Sequence, residues 1–365
     1  GAQSITLNSA STYTGTVAFV ASAGTLTNVT INDSGVFDLA ALTLTGDLTV
    51  TAGGAISDSG TLVVPGTTTI VAGANNVVLD DAANNFGIVA VTSAGTATLV
   101  DVGAIDLGAS TVTTLNVTAG GAISDSGTIV ASGTTTIVAG ANNVVLDDAA
   151  NNFGIVAITS AGTATLVDVG AIDIGASTVT TLNITAGGAI SDSGTIVASG
   201  TTTIVAGANN VVLDEAANNF GIVAITSAGT ATLVDVGAID IGATTVTTLN
   251  ITAGGAISDS GTIVASGTTT IVAGANNAVL DDAANNFGTV AVTSAGTATL
   301  VDVDAIDLGA SGVTTLNVTA GGAITDSGNL AVTGTSTFTS ANAQSITLNN
   351  SNTFATVAFV ASAGT

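Results

Sequence analysis

The sequence predicts an all-β chain wound as a right-handed parallel β-helix, a β-solenoid with about three short strands per coil. Three observations carry that expectation: a 67-residue repeat of constant length, a finer spacing of 20 to 25 residues within it, and a chain rich in Val, Ile and Thr with 46 glycines. The string T-A-G-G-A-I-[ST]-D-S-G begins at Thr51, Thr118, Thr185, Thr252 and Thr319. Copies differ mainly by Val for Ile, Leu for Ile, or Glu215 for Asp. Such fidelity means one supersecondary unit stacked on itself, each copy covering the face its neighbour leaves open.

Each repeat contains three variants of an Ala-Gly step followed by a branched apolar residue and Asp. In the first they are Ala52-Gly53 with Asp58, Ala72-Gly73 with Asp81, and Ala94-Gly95 with Asp101. The glycines Gly53, Gly73, Gly95 and Gly120 are 20, 22 and 25 residues apart, which predicts three coils per repeat. Strand-like runs such as Thr68-Thr-Ile-Val and Leu115-Asn-Val-Thr are short, β-branched and alternating, as a pleated half-buried surface requires. Glycine at the corners is expected to supply left-handed backbone angles, with Asn342 as its substitute at one corner. A helical repeat fails, because no ten-residue stretch spaces its apolar residues at i, i+3, i+4 and i+7. Handedness follows from the right-handed rule for parallel crossovers. The landmarks predict about 16 coils over residues 1–365 as a single continuous rod, on the order of 75–80 Å long at a strand spacing near 4.8 Å.

Composition excludes whole classes of function. The chain has no Lys, Arg, His, Cys, Met or Trp, and its formal charge is −25. With no basic group it cannot neutralise phosphates, so nucleic acid is not a partner, and an anionic membrane surface repels it. No run of 18 apolar residues exists, so no membrane insertion is expected. Zinc, copper, haem and iron–sulfur sites have no ligands. Of the metals only hard cations such as calcium have donors.

The ends suggest a longer period. Ala2-Gln-Ser-Ile-Thr-Leu-Asn recurs from Ala343, and Thr16-Val-Ala-Phe-Val-Ala-Ser-Ala-Gly-Thr recurs from Thr356. With no initiator Met, the expectation is a window of a longer repetitive chain.

The phrases Asn-Asn-Phe-Gly-Ile-Val-Ala-Val (84–91), Ala-Ile-Asp-Leu-Gly-Ala-Ser (104–110) and Leu-Asn-Val-Thr-Ala-Gly-Gly-Ala-Ile-Ser-Asp-Ser-Gly (115–127) resemble the shaft repeats of filamentous-haemagglutinin-like proteins, the bacterial exoproteins of two-partner secretion. The resemblance implies a right-handed β-helix, an extracellular or cell-surface location, and roles in adhesion, aggregation or biofilm.

Several recurring residues invite a chemical reading. The Asp of each coil is either a turn residue accepting local N–H bonds or one member of a carboxylate column bridged by calcium. The Gly-Gly-x-Gly-x-Asp calcium signature is missing, since Gly53-Gly54-Ala55-Ile56-Ser57-Asp58 has a different spacing, so no metal ligands are assigned. The pairs Asp80/Asp81, Asp147/Asp148, Asp214/Glu215 and Asp281/Asp282 have the residue types of a glycosidase acid and base. Four equivalent copies and no cation for an anionic intermediate argue against an active site, so no catalytic residue is assigned. Phe86, Phe153, Phe220 and Phe287 read as a buried stack rather than an exposed sugar-binding ladder. Thr67 to Thr69, with Thr96 and Thr98, has the look of an ice-binding array, broken where Leu115-Asn-Val-Thr intervenes. Asn75-Asn76 and Asn84-Asn85 suggest stacked amide ladders. Asp304, where other repeats have Gly103, Gly170 and Gly237, reads as drift at a turn.

The functional expectation is therefore the shaft of a bacterial cell-surface or secreted fibrous adhesin-like exoprotein, without catalysis or cofactor. The alternative is a self-assembling extracellular filament, joined end to end or laterally. Calcium or ice binding is the minor alternative. Expected partners are further copies of the chain and, for an adhesin, glycans or the surface of a host or neighbouring cell.

Overall fold

The structure, a computed structural model, describes residues 2–341 and 344–361. Asn342 and parts of the second terminal motif, Ala343 and residues 362–365, lie outside them. Two compact units, Gly1–Thr180 and Thr181–Thr365, have the same architecture. Each is a parallel β-solenoid, with no helix among the described residues. Together they make about 18 turns.

The coil is shorter than the glycine spacing predicts. In the first unit Leu79, Leu99, Val117, Ile137 and Ile158 pair in series as one inward column, 20, 18, 20 and 21 residues apart. Each is at most 1% exposed. Alternation does the sorting, because every second residue of a strand points inward. Stacking branched aliphatic side chains in one column then removes each from water, at about 1.5–3 kcal/mol apiece.

Pairings sort into two sheets, and the chain crosses from one to the other twice per coil. In the first unit, sheet I contains Thr67–Val71 and Ile88–Val91, whereas sheet II contains Val77–Leu79 and Ala97–Asp101. The chain makes one straight run per sheet, so the coil has two strand runs rather than three. The extended strand Asn85–Asp101 spans both sheets, bending between them at residues 92–94.

One repeat contains an odd number of half-coils. From the Asn85–Ser93 run in sheet I, the chain passes through 94–101 (II), Ile105–Leu107 (I), Ser110–Ala119 (II), Ile123–Asp125 (I), Ile129–Val138 (II) and Val144–Leu146 (I). The seventh half-coil is the equivalent run at 152–160, which lies in sheet II. The second unit does the same, with residues 219–227 in one sheet and 286–294 in the other. Thus 67 residues make three and a half coils, not three, and equivalent residues of consecutive repeats face opposite ways. The full structural period is two repeats.

This parity corrects two expectations. Phe86, Phe153, Phe220 and Phe287 are buried at 1–2% exposure, but they do not stack on one another. Phe86 faces in from one sheet and Phe153 from the other. The asparagines form no ladder either, for the same reason.

Glycine serves two separate purposes. Gly73, Gly140, Gly207 and Gly274 have φ of 60 to 62°, where a Cβ is disfavoured. The Ala-Gly corners at Gly53, Gly95 and Gly120 are different: their φ is ordinary, and glycine there lets adjacent coils touch. A Cβ on Gly95 would lie 2.6 Å from the carbonyl oxygen of Ala74 in the preceding coil.

One defect recurs in the core. Thr68, Thr135, Thr202 and Thr269 are 0% exposed, and their hydroxyls have no partner. Thr135 sits between Leu115 and Val156 in the inward column. An unpaired buried hydroxyl costs roughly 1–3 kcal/mol, so its isostere without the oxygen should be better. Thr135→Val is expected to raise the guanidinium midpoint of unfolding by an amount equivalent to about 1 kcal/mol or more. An unchanged or lowered midpoint would show that the hydroxyl finds a partner in solution.

Candidate functional site: the carboxylate corners

The recurring acids are the only ionisable groups numerous enough to form a site, and the coil geometry commits most of them to the backbone. Asp101 ends its strand at a corner and is 2% exposed. Its Oδ2 accepts from the Phe86 N–H at 2.6 Å, and its Oδ1 from the Gly103 N–H at 2.6 Å. Asp168, Asp235 and Asp302 repeat this arrangement on Phe153, Phe220 and Phe287. Each carboxylate therefore ties the corner at the end of an extended strand to the start of that same strand, one turn earlier. Burial raises the affinity of these four for protons above the usual carboxylate range, and the two backbone N–H bonds oppose it without cancelling it.

A second set joins coils through a buried amide. Asp58 Oδ1 accepts from the Asp80 N–H at 3.0 Å, and Asp58 Oδ2 from Asn84 Nδ2 at 2.7 Å. Asn84 is 0% exposed, and its Oδ1 accepts from the Leu62 N–H at 2.7 Å. Asn84 thus bridges a carboxylate of one coil and a strand amide. The same bridge recurs at Asp125–Asn151–Ile129, Asp259–Asn285–Ile263 and Asp326–Asn352–Leu330. Burial raises the pKa of Asp58, whereas at Asp326 the bonds from Asn352, Asn349 and Asn350 outweigh burial and lower it.

The paired acids have different tasks. Asp81 Oδ1 accepts from the Ala83 N–H at 3.0 Å and from the Thr61 hydroxyl at 2.9 Å, a turn role. Asp80 is exposed and uses its N–H, not its carboxylate, to meet Asp58. A third acid, Asp106, sequence reasoning passed over. Its Oδ1 is buried without a partner, as are those of Asp173 and Asp240. The equivalent Asp307 is satisfied by Thr289, Thr325 and Ser327, and Thr289 stands where the other repeats have Ile88, Ile155 and Ile222. That substitution was the available signal.

The acids do not form a column along the solenoid. Leu39 and Leu107 are the partners of Asp58 and Asp125, and Ala119 is the partner of Asp101. Among the described residues no group of three or more His, Cys, Asp or Glu is placed to hold a metal ion. The threonine array is interrupted where expected: Asn116 pairs with Thr98 and donates to its hydroxyl at 3.4 Å. Ala90 interrupts it again opposite Thr69. Asn75 caps a turn instead, its Nδ2 donating to the Ala72 carbonyl at 2.8 Å, and Asn76 Oδ1 accepts from the Thr96 N–H of the next coil at 3.3 Å. Asp304 keeps the corner intact, its N–H donating to Asp302 at 2.7 Å as Gly103 does to Asp101.

Acid should strengthen this fold rather than dissolve it. A carboxylate whose folded pKa lies above its unfolded value contributes stability that is complete below the unfolded value, near 3.8, and lost as pH rises through the folded value. Asp58, Asp101, Asp168, Asp235 and Asp302 all act in that direction. Asp38 and Asp326 act oppositely. At Asp38 bonds from Thr16, Ser59 and Ser57 outweigh burial, so these two weaken the fold only below about pH 4. Thermal midpoints are therefore expected to rise from pH 7 to about pH 4.5. A cooperative unfolding transition in that interval would show that the ionised form of these acids holds the corners.

No curated protein and no solved structure matches the chain. One family matches five times in succession, at residues 26–93, 94–160, 161–227, 228–294 and 295–361. The chain belongs to that family, DUF5649, described as repeats of unknown function.

Proposed function

We propose that this chain is the structural shaft of a bacterial cell-surface or secreted fibrous exoprotein, adhesin-like and without catalytic activity. One observation carries the reading: the acids equivalent to Asp58 and Asp101 hold coil to coil, and where one repeat departs from the others, as at Asp304 and Asp307, its polar groups satisfy one another. Asp101, Asp58 and Asp81 each accept from groups within the solenoid. Departures such as Asp304 and Thr289 are accommodated within the corner and strand geometry. The resemblance of residues 84–127 to filamentous-haemagglutinin-like repeats supports the extracellular assignment. Fractionation of expressing cells tests it: the protein is expected at the surface or in the medium, and a cytoplasmic pool of full-length protein would sink the reading.

A self-assembling filament is the second reading, and the edge strands favour it. Gln3–Ser11 and Thr353–Ala361 each pair on one side only, with Leu7, Val357 and Phe359 exposed. An unpaired, long, apolar edge is a template for another chain. Electron microscopy of purified protein distinguishes the readings, since filaments longer than one chain can span require assembly.

A further inference from the structure

Exposed apolar residues recur with the repeat. Val36, Val102, Val169, Val236 and Val303 each sit at a corner, at 65%, 55%, 55%, 55% and 46% exposure. Shallow grooves recur at equivalent positions two repeats apart. One, of about 450 Å³, is walled by Gly73, Ser93, Thr111, Thr113 and Ser132 over four coils, and one of about 420 Å³ by the equivalents Gly207, Ser227, Thr245, Thr247 and Ser266.

The odd number of half-coils decides where these features fall. In the first unit Val36, the groove and Val169 all lie on the edge where the chain leaves sheet I for sheet II. Val102 lies on the opposite edge. In the second unit, taken by itself, the 207–266 groove shares an edge with Val303, and Val236 shares the other with a groove at 295–333. Along an edge, valine ridges and grooves therefore alternate every three and a half coils. The grooves are free of carboxylates in a chain that carries 25 acids, whereas the ridges have acids beside them, such as the exposed Asp304 next to Val303.

We infer that a second copy of this chain docks laterally, edge against edge and three and a half coils out of register, its corner valines seated in these grooves. The equal spacing of ridge and groove selects this occupant, because an unrelated partner would need to reproduce a two-repeat period. Lining of Ser and Thr hydroxyls can face the exposed Asp80, at the corner that flanks Val102 one coil away, without opposing carboxylate to carboxylate. The inference deepens the filament reading by naming its lateral contact, and the shaft reading does not depend on it.

Small-angle scattering and sedimentation of the whole chain test it, in about 0.5 M NaCl so that net charge is screened. The wild type is expected to associate with growth in cross-section. Val102→Ser, Val169→Ser, Val236→Ser and Val303→Ser combined should weaken association by roughly tenfold or more. Thr113→Glu with Thr247→Glu, both at exposed positions in the grooves, should do the same with an unchanged circular dichroism spectrum. A strict monomer, growth in length alone, or association indifferent to both sets overturns lateral docking. Growth in length alone would leave the end-to-end filament standing.

Discussion

Replacing Asn151 by alanine is expected to destabilise the protein by about 2–3 kcal/mol, because it strands a buried strand amide and strips a half-buried carboxylate of its shortest bond. Asn151 is 0% exposed. Its Nδ2 donates to Asp125 Oδ2 at 2.6 Å and its Oδ1 accepts from the Ile129 N–H at 2.7 Å. Alanine leaves the Ile129 strand amide without its partner, worth roughly 1–3 kcal/mol, and leaves Asp125 Oδ2 only the longer bond from the Asp148 N–H at 3.3 Å. The adjacent Asn152 is exposed, so Asn152→Ala should be near neutral, and guanidinium unfolding of the pair isolates the bridge. Asn151→Asp adds a pH signature. It sets carboxylate against carboxylate, so its deficit at pH 7 should shrink on acidification as the pair takes up a proton. Equal midpoints for Asn151→Ala and Asn152→Ala would show that water enters the corner and replaces the bridge.

The fold class was legible because periodicity and alternation report directly on what a parallel coil must bury. The pitch was not, because glycine was read as a corner marker. Most of these glycines mark close approach of one coil to the next, and several corners, such as Val102–Gly103 and Gly108–Ala109, turn without an Ala-Gly step. The short triplets Ile105-Asp-Leu107, Ile123-Ser-Asp125 and Val144-Val-Leu146 were better markers: they pair at 18 and 21 residues. An error of half a coil has large consequences, since it moves every second repeat to the other sheet. The phenylalanine stack and the asparagine ladders failed on that alone.

The acids were legible as turn residues but not as bonds between coils. Asp58 and Asn84 are 26 residues apart, a separation that means nothing until the coil length is known. The first Asn of the Asn84-Asn85 pair is buried and the second exposed, which alternation alone would have suggested. The thirteen-residue phrase at 115–127 marks the repeat, and the bonds explain why its Asp125 recurs.

The close-contact glycines yield the second large effect, and it separates the two purposes glycine serves. Gly154 lies opposite both Ser132 and Gly133, the two residues between Ala131 and Thr134 in the facing strand, one more than the register needs. Two residues against one is a bulge, and its carbonyls turn toward the neighbouring strand. A Cβ on Gly154 would sit 2.6 Å from the Ser132 oxygen and 2.7 Å from the Gly133 oxygen. Both are backbone atoms held by their own coil, so neither can swing aside as a side chain would. Gly154→Ala should therefore cost about 3 kcal/mol, the upper range for overpacking. Gly140→Ala meets open space and pays only for its φ of 62°, about 1 kcal/mol. Amide exchange adds a local readout: protection at Thr134–Ile137 should fall in Gly154→Ala and persist in Gly140→Ala. If Gly140→Ala proved the more damaging, backbone angle rather than coil spacing would be what glycine contributes here.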